Sequence, residues 1–280
     1  MTIELGPLGA YLTAAEATAA DAVALEAAGY DAIWLAASPA ADLLAAERLL
    51  DATSRIVVGT SVLNVWQEDA EEVAGSYHRI AGKHADRLFI GIGAGHREIN
   101  AGYASPLAKV ASYLDTLTAA GVPADRVLLA ALGPKMLRLA ADRAAGTLTL
   151  QVTPEHTRLA RQALGPDKLV VPGHGVLLDT DAGRAREAAR AGVRPMLGIA
   201  NYANNLRRIG YTDEDLTDPF DDRLIDALVL HGDATAVAAG IDAELAAGAN
   251  NVGLHAMGAD AIGVLRAIAE AARFETALRK

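Results

Sequence analysis

Cysteine is absent from this 280-residue chain, which excludes disulfides, thiolate metal sites and a cysteine nucleophile. Aromatic residues make up only 4%, so alanine and the aliphatics must build the core, and that much alanine favours helices. The chain's lysines are Lys83, Lys109, Lys135, Lys168 and Lys280; none ends a predicted strand, so a Schiff-base mechanism has no candidate. Positive charge is scarce as well. With a formal net charge of −10 and no Lys/Arg run, nucleic acid is not expected as a partner. No apolar stretch approaches the ~20 residues that span a bilayer, so no membrane partner is expected either. The first residues lack the basic-then-apolar pattern of a secretion signal, and a cytoplasmic location is the expectation.

What is present is a regular alternation of strand and helix signals over a single domain, residues 1–280. Two buried-strand patterns stand out, Arg55-Ile-Val-Val-Gly-Thr-Ser-Val-Leu-Asn64 and Arg87-Leu-Phe-Ile-Gly-Ile-Gly-Ala-Gly-His96. Each is β-branched without polar alternation, as in a strand covered on both faces, and each ends in small or polar residues. A helical stretch, 68–83, separates them, so they are predicted to be parallel neighbours. Further strands are predicted at 8–12, 31–36, 126–131, 147–151, 168–178 and 251–255. Helices are predicted at 13–28, 39–51, 106–120, 134–144, from 154 onward, 181–191, 235–247 and 259–278. Eight strand–helix units over this length predict an α/β fold, a (β/α)8 TIM barrel. Before strand eight, residues 201–222 are too long and polar for a simple connector. They read either as an insertion over the barrel mouth or as a helical hairpin packed on the outside.

The chemistry of such a barrel sits at the carboxyl ends of its strands. Those ends carry almost no carboxylates here, so the paired acids of glycoside hydrolysis are missing, and no histidine or carboxylate cluster predicts a metal. Gly-Xaa-Ser-Xaa-Gly and the phosphate-loop motif are missing too. A mouth so poor in catalytic groups points to a bound cofactor as the source of reactivity. Gly91-Ile-Gly-Ala-Gly95 falls short of a dinucleotide fingerprint because its third glycine comes one residue early. Ala131-Leu-Gly-Pro-Lys-Met136 starts a helix with proline after strand five, and Thr153-Pro154 repeats this one strand on. Free N–H groups at two adjacent helix starts would suit an anion; ordinary proline-led helices are the alternative.

Taken in order, Gly59-Thr-Ser-Val-Leu63, the 87–95 and 131–136 segments, Val152-Thr-Pro-Glu-His156 and Asn251-Val-Gly-Leu-His255 resemble the bacterial luciferase-like superfamily of flavin and deazaflavin oxidoreductases. Within it they are most similar to the actinobacterial branch that uses coenzyme F420. The block from Asn201 to Leu216 resembles one subgroup of deazaflavin-dependent oxidoreductases. The resemblance implies a cofactor ring edge-on in the mouth, supported by a non-proline cis peptide at Ser61–Val62, and a phosphate near strands five and six. Carried over on it are Ser61, Val62 and Asn64 against the ring, with Gly93, Ala94 and Gly95 beside it. Ala131, Leu132, Gly133 and Lys135 would lie at the phosphate, with Thr153 close by. Relatives in this family commonly form homodimers.

His96, His174 and His255 fall at strand ends, and a histidine there could move the proton that accompanies hydride transfer. His96 is the catalytic candidate; His174, Asn201, Tyr202 and His255 are candidates for a small-molecule substrate. The chain departs from better-known deazaflavin dehydrogenases, which have an Asp-His pair after strand two where this one has Ala36-Ala-Ser38. Their glutamate after strand four is His96 here, and Leu132 stands where glycine is usual in the phosphate motif. The expectation is therefore an oxidoreductase passing hydride between F420 and a small organic substrate. An FMN-dependent monooxygenase and a cofactor-binding protein without turnover are the alternatives.

Overall fold

The sheet alternates with helices along the whole chain. The structure, a computed structural model, describes residues 5–278 apart from 85, 99 and 101, with side chains through residue 272. The first half runs β1 (Leu8–Thr13), α1 (Ala19–Ala28), β2 (Ala32–Ala36), α2 (Leu44–Ala52), β3 (Val57–Thr60), a short β4 (Leu63–Asn64), α3 (Ala70–His84), β5 (Leu88–Gly93) and α4 (Pro106–Ala119). It continues with β6 (Val127–Ala130), α5 (Pro134–Arg143), β7 (Gly146–Leu150), α6 (Pro154–Leu164), β8 (Leu169–Leu178) and α7 (Ala182–Leu197). The last part holds α8 (Ala200–Arg208), α9 (Asp222–Leu228), β9 (Val229–Gly232), α10 (Ala234–Ala246), β10 (Val252–Ala256) and α11 (Ala261–Leu278).

All strand pairings are parallel. The order β10-β1-β2-β3-β5-β6-β7-β8 closes through β8 against β10, giving the eight-stranded (β/α)8 barrel that the alternation predicts. Two strands lie outside that count. β4 pairs with the end of β5, and β9 pairs with β8 over Gly175–Leu178.

Tyr11, Trp34, Val57, Phe89, Leu128, Leu148 and Val171 fill the barrel interior, while the outward residues of the same strands pack under the helices. Trp34 Nε1 donates to Asn251 Oδ1 at 2.9 Å over Gly9 of β1, so the buried indole N–H is satisfied. The Tyr11 ring lies over the neighbouring β10 and reaches β8 beyond it. A Cβ added to Gly173 or Gly253 would stand 2.7 or 2.2 Å from its Cε2, so only glycine fits at either place.

Boundaries differ from expectation where caps decide them. The first helix begins at Ala19, not at residue 13, because Thr18 and Asp21 form a reciprocal capping box and β1 continues through Thr13. The helix predicted over 181–191 runs on to Leu197. Beyond it, α8 buries Tyr202, Ala203, Asn205 and Leu206. An exposed set of Arg–Asp pairs ties α7 to the segment before and within α9, including Arg194 to Asp218 and Arg186 to Asp222 and Asp226.

Candidate active site

At the carboxyl ends of β3, β5, β6 and β7 opens a cavity of about 510 Å³. One end is framed by Ser61, Val62, Gly93, Ala94, Gly95 and His96. The Ser61–Val62 peptide is cis, as the resemblance implies. The Ser61 N–H donates to the Leu35 carbonyl at 2.7 Å, and its hydroxyl donates to the Tyr11 hydroxyl at 3.2 Å. Burial pushes the Tyr11 phenol up to about 12, so it stays neutral. A Cβ on Gly93 would stand 2.7 Å from Val62 Cγ2, so glycine is what lets the Val62 side chain pack against β5 in the cavity wall. Asn64 is not at the wall. It sits buried in β4 with Oδ1 accepting from the Trp66 N–H at 3.1 Å, and Trp66 Nε1 donates to the Ala94 carbonyl at 2.7 Å. Asn64 therefore supports the His96 loop and does not line the cavity.

His96 reaches the cavity from that loop, which is held by its backbone N–H donating to Asn100 Oδ1 at 2.9 Å. Its ring lies 5.4 Å from the Tyr202 ring, tilted by 47°. Its Nδ1 is buried without a partner. Burial lowers its pKa, opposed by the negative charge of Glu98, so the ring is neutral at pH 7 and free to accept a proton. Asn201 and Tyr202 form the roof over the same space. Glu98 accepts from the Ala200 N–H at 3.2 Å and Arg208 donates to the Leu132 carbonyl at 3.2 Å, so α8 is held to the loops after β5 and β6.

The opposite end meets the start of α5; the start of α6 contributes no lining residue. Ala131, Leu132, Gly133 and Lys135 line it, with the Leu132 side chain packed against Val152 and Tyr202. Gly133 and Thr153 are the cap residues of the two helices, each is followed by proline, and neither gives a side-chain cap. Free backbone N–H groups remain at both starts. Thr149, in the cavity wall, keeps a buried hydroxyl without a partner. Thr153 does not line the cavity; its fully buried hydroxyl is likewise unpartnered behind the wall. N–H groups, hydroxyls and one ammonium, with no carboxylate among the lining residues, form a donor set that fits a phosphate.

Two predicted substrate residues lie elsewhere. His174 is a correction: it points outward from β8 into the helix layer, where Nε2 meets Glu244 Oε1 at 2.9 Å and both side chains are buried. Inward and outward residues alternate along β8, and position 174 falls on the outer face with Val170 and Val176. His255 is an exposed residue within β10, on the strand face opposite to Leu254, and it does not line this cavity; desolvation lowers its pKa against the raising influence of Glu16. Tyr103, Leu107 and Thr149, none of them anticipated, also line the cavity, with Met136 from the quoted 131–136 segment. Tyr103 and Leu107 belong to a loop and a helix start with no sequence signature, and Thr149 sits inside a run that reads only as strand. Among the described residues, no group of three or more His, Asp or Glu is arranged to hold a metal ion, and no helix is long and apolar enough to cross a membrane.

Neither a protein-family model nor a curated protein sequence matches the chain. Solved structures with the same fold do. An F420-dependent secondary alcohol dehydrogenase in complex with an F420-acetone adduct superposes with a TM-score of 0.73 at 14% identity, covering 95% of this chain and 98% of its own. The coenzyme F420-dependent tetrahydromethanopterin reductase of Methanopyrus kandleri gives 0.69 at 15% identity over 96% and 99%. The oxygenating constituent of 3,6-diketocamphane monooxygenase of Pseudomonas putida, in complex with FMN, gives 0.67 at 14% over 95% and 97%. At these identities the likeness is one of fold.

Proposed function

We propose that the chain is a luciferase-like oxidoreductase that holds coenzyme F420 and moves hydride between it and a small organic substrate. The observation that carries this reading is the cavity lining: small residues of Gly93 to Gly95 beside Ser61, Val62 and His96 at one end, and a set of donors without carboxylates at the other. The shared fold with two F420-dependent enzymes supports it. A deazaflavin supplies hydride chemistry that no side chain offers.

The chain's own residues then have distinct tasks. Ser61, Val62 and Gly93 to Gly95 flank the ring, and Gly133, Lys135 and the free amides of α5 hold the phosphate. Thr153, behind that wall, contributes through the start of α6. Asn201 and Tyr202 exclude water from the reacting face. His96 acts as the base that takes the proton from a substrate hydroxyl as hydride leaves, a role suited to its neutral ring and unpartnered Nδ1. Residues 201–222 act as the cover of the site, and His255 belongs to the opposite rim where a substrate enters.

Titration with F420 and with FMN, followed by fluorescence, tests the assignment. F420 binding at least tenfold tighter than FMN is the expected result. The reverse order overturns the deazaflavin assignment in favour of the FMN-dependent monooxygenase, whose fold-mate binds FMN. For His96→Gln, bleaching of F420 with a panel of small secondary alcohols is expected to slow about 10²-fold while F420 affinity is kept; unchanged turnover removes His96 from the chemistry.

A further inference from the structure

Helix α8 forms the roof of the cavity, yet its own residues leave its start bare. The cap residue Ile199 offers no side-chain acceptor, and no acid stands in the first turn. The orphan N–H groups and the positive end of the helix dipole therefore call for an acceptor from elsewhere. Glu98, on the loop after β5, supplies one: its Oε1 accepts from the Ala200 N–H at 3.2 Å. Two residues earlier on that loop stands His96, whose ring lies 5.4 Å from that of Tyr202 in the first turn of the same helix. One short loop thus carries both the proposed base and the group that seats the helix above it.

The loop is braced in that arrangement. The His96 carbonyl accepts from the Asn100 N–H at 3.0 Å, and the His96 N–H donates to Asn100 Oδ1 at 2.9 Å, which closes residues 96–100 into a turn with Glu98 at its middle. Hydrogen bonds from its own backbone N–H and from Ala200, joined by the His96 and Arg97 charges, hold the Glu98 carboxyl below the usual carboxylate range, so it is ionised at pH 7. The other ionisable groups around His96 are Arg97 on the same loop, Tyr103, Lys135 and Tyr202. Burial raises both phenols, so they stay neutral. Arg97, 5.4 Å from the Tyr103 ring centroid, tempers the charge on Glu98. Desolvation lowers the His96 pKa and the Glu98 charge raises it, so an imidazolium here is favoured by the same carboxylate that seats α8.

We propose that Glu98 is a positioning residue with two linked tasks: it seats the roof helix from outside that helix, and it stabilises the imidazolium that His96 becomes on taking a substrate proton. The proposal rests on the reading of His96 as the base. In that step the O–H and C–H bonds of the substrate break as its carbonyl forms; the proton passes to His96 Nδ1, the hydride to the deazaflavin, and Glu98 gains neither. Because the contact with Ala200 is what fixes the carboxylate beside the loop, the ring is best prepared to take the proton when the roof is in place.

Two variants separate the tasks. Glu98→Gln keeps an oxygen for the Ala200 N–H and removes the charge; Glu98→Ala removes both. NMR titration of the His96 ring in the full-length protein without ligand is expected to show a lower midpoint in both variants than in wild type. Glu98 is exposed, so this difference is expected to shrink towards zero near 1 M salt, which a purely structural effect would not do. Release of bound F420, followed by stopped-flow fluorescence, is expected to quicken about threefold in Glu98→Ala and to keep the wild-type rate in Glu98→Gln. An unmoved His96 midpoint in Glu98→Gln, or a shift indifferent to salt, overturns the proposal; so does release at the wild-type rate in Glu98→Ala. Should wild type fail to bind F420, the deazaflavin reading falls by itself, and the His96 midpoints still decide whether Glu98 acts on that ring.

Discussion

Acidification from pH 7 to about pH 4 is expected to draw stability from one side chain in particular. His156 lies in the first turn of α6, 1% exposed, with its Nε2 unpartnered. Burial holds its pKa down to about 4, against an ordinary 6.5; the Arg208 charge adds to the depression, while Glu244 and an Asn205 hydrogen bond oppose it. Between those two values the unfolded chain carries a proton on this ring that the folded chain refuses. Stability therefore rises with pH across this window, is complete above the unfolded value, and is lost as pH falls toward the folded one. At about 1.4 kcal/mol per pH unit, the gap from 6.5 to about 4 corresponds to about 3 kcal/mol. That is a sizeable part of the roughly 5–15 kcal/mol typical of a folded protein. Urea unfolding of wild type and His156→Gln at a series of pH values measures it. Carboxylates titrate in the same range, so the quantity of interest is the difference between the two proteins. Wild type is expected to lose about 3 kcal/mol more than the variant on going from pH 7 to pH 4. Parallel curves would show that the buried ring is not what resists the proton.

Three substitutions probe other parts of the argument. His174→Leu leaves Glu244 buried and unpaired and is expected to cost about 3–5 kcal/mol in urea unfolding with ligand affinity unchanged; a stable variant with lost binding would return His174 to the mouth. Gly93→Ala places a methyl 2.7 Å from Val62 Cγ2 and 3.1 Å from Ala130 Cβ, and about 1–3 kcal/mol of destabilisation with weaker ring binding is expected. Unaltered melting and affinity would mean that this wall yields to the methyl without cost. Tyr202→Ala removes the roof over His96, and stopped-flow release of bound F420 is expected to quicken about tenfold, the equivalent of roughly 1.4 kcal/mol. An unchanged rate would argue that α8 does not cover the ligand.

The barrel was legible because its strands are covered on both faces and announce themselves as short aliphatic runs between glycines. The same property hid His174. A strand buried on both sides shows no polar alternation, so nothing in Leu169 to Leu178 tells the inner residues from the outer ones. Capping set the start of α1 more finely than hydrophobic period could, through a Thr18–Asp21 pair that is visible in the sequence once sought. α8 was not legible for a different reason. Three asparagines in Ala-Asn-Tyr-Ala-Asn-Asn-Leu-Arg-Arg give it poor helix propensity, and it forms by burying Tyr202 against Leu132 and Val152 and Leu206 against α7 and α9. The residues of the cavity came from motif order and largely converge, His96 and Lys135 included. Asn64 and Thr153 stand one layer behind, since a motif marks a neighbourhood and not the direction of a side chain.

The phenol of Tyr11 has a bearing on how this sequence can vary. Its ring occupies the room that side chains at 173 and 253 would need, so three positions on three strands are locked into a shared choice of volume. A methyl at either glycine is tolerable only beside a slimmer residue at 11, and such a swap would also strip Ser61 of its hydroxyl neighbour. Drift at the barrel's centre is thus obliged to proceed by compensated steps, and each of them is felt at the wall where the ligand would rest.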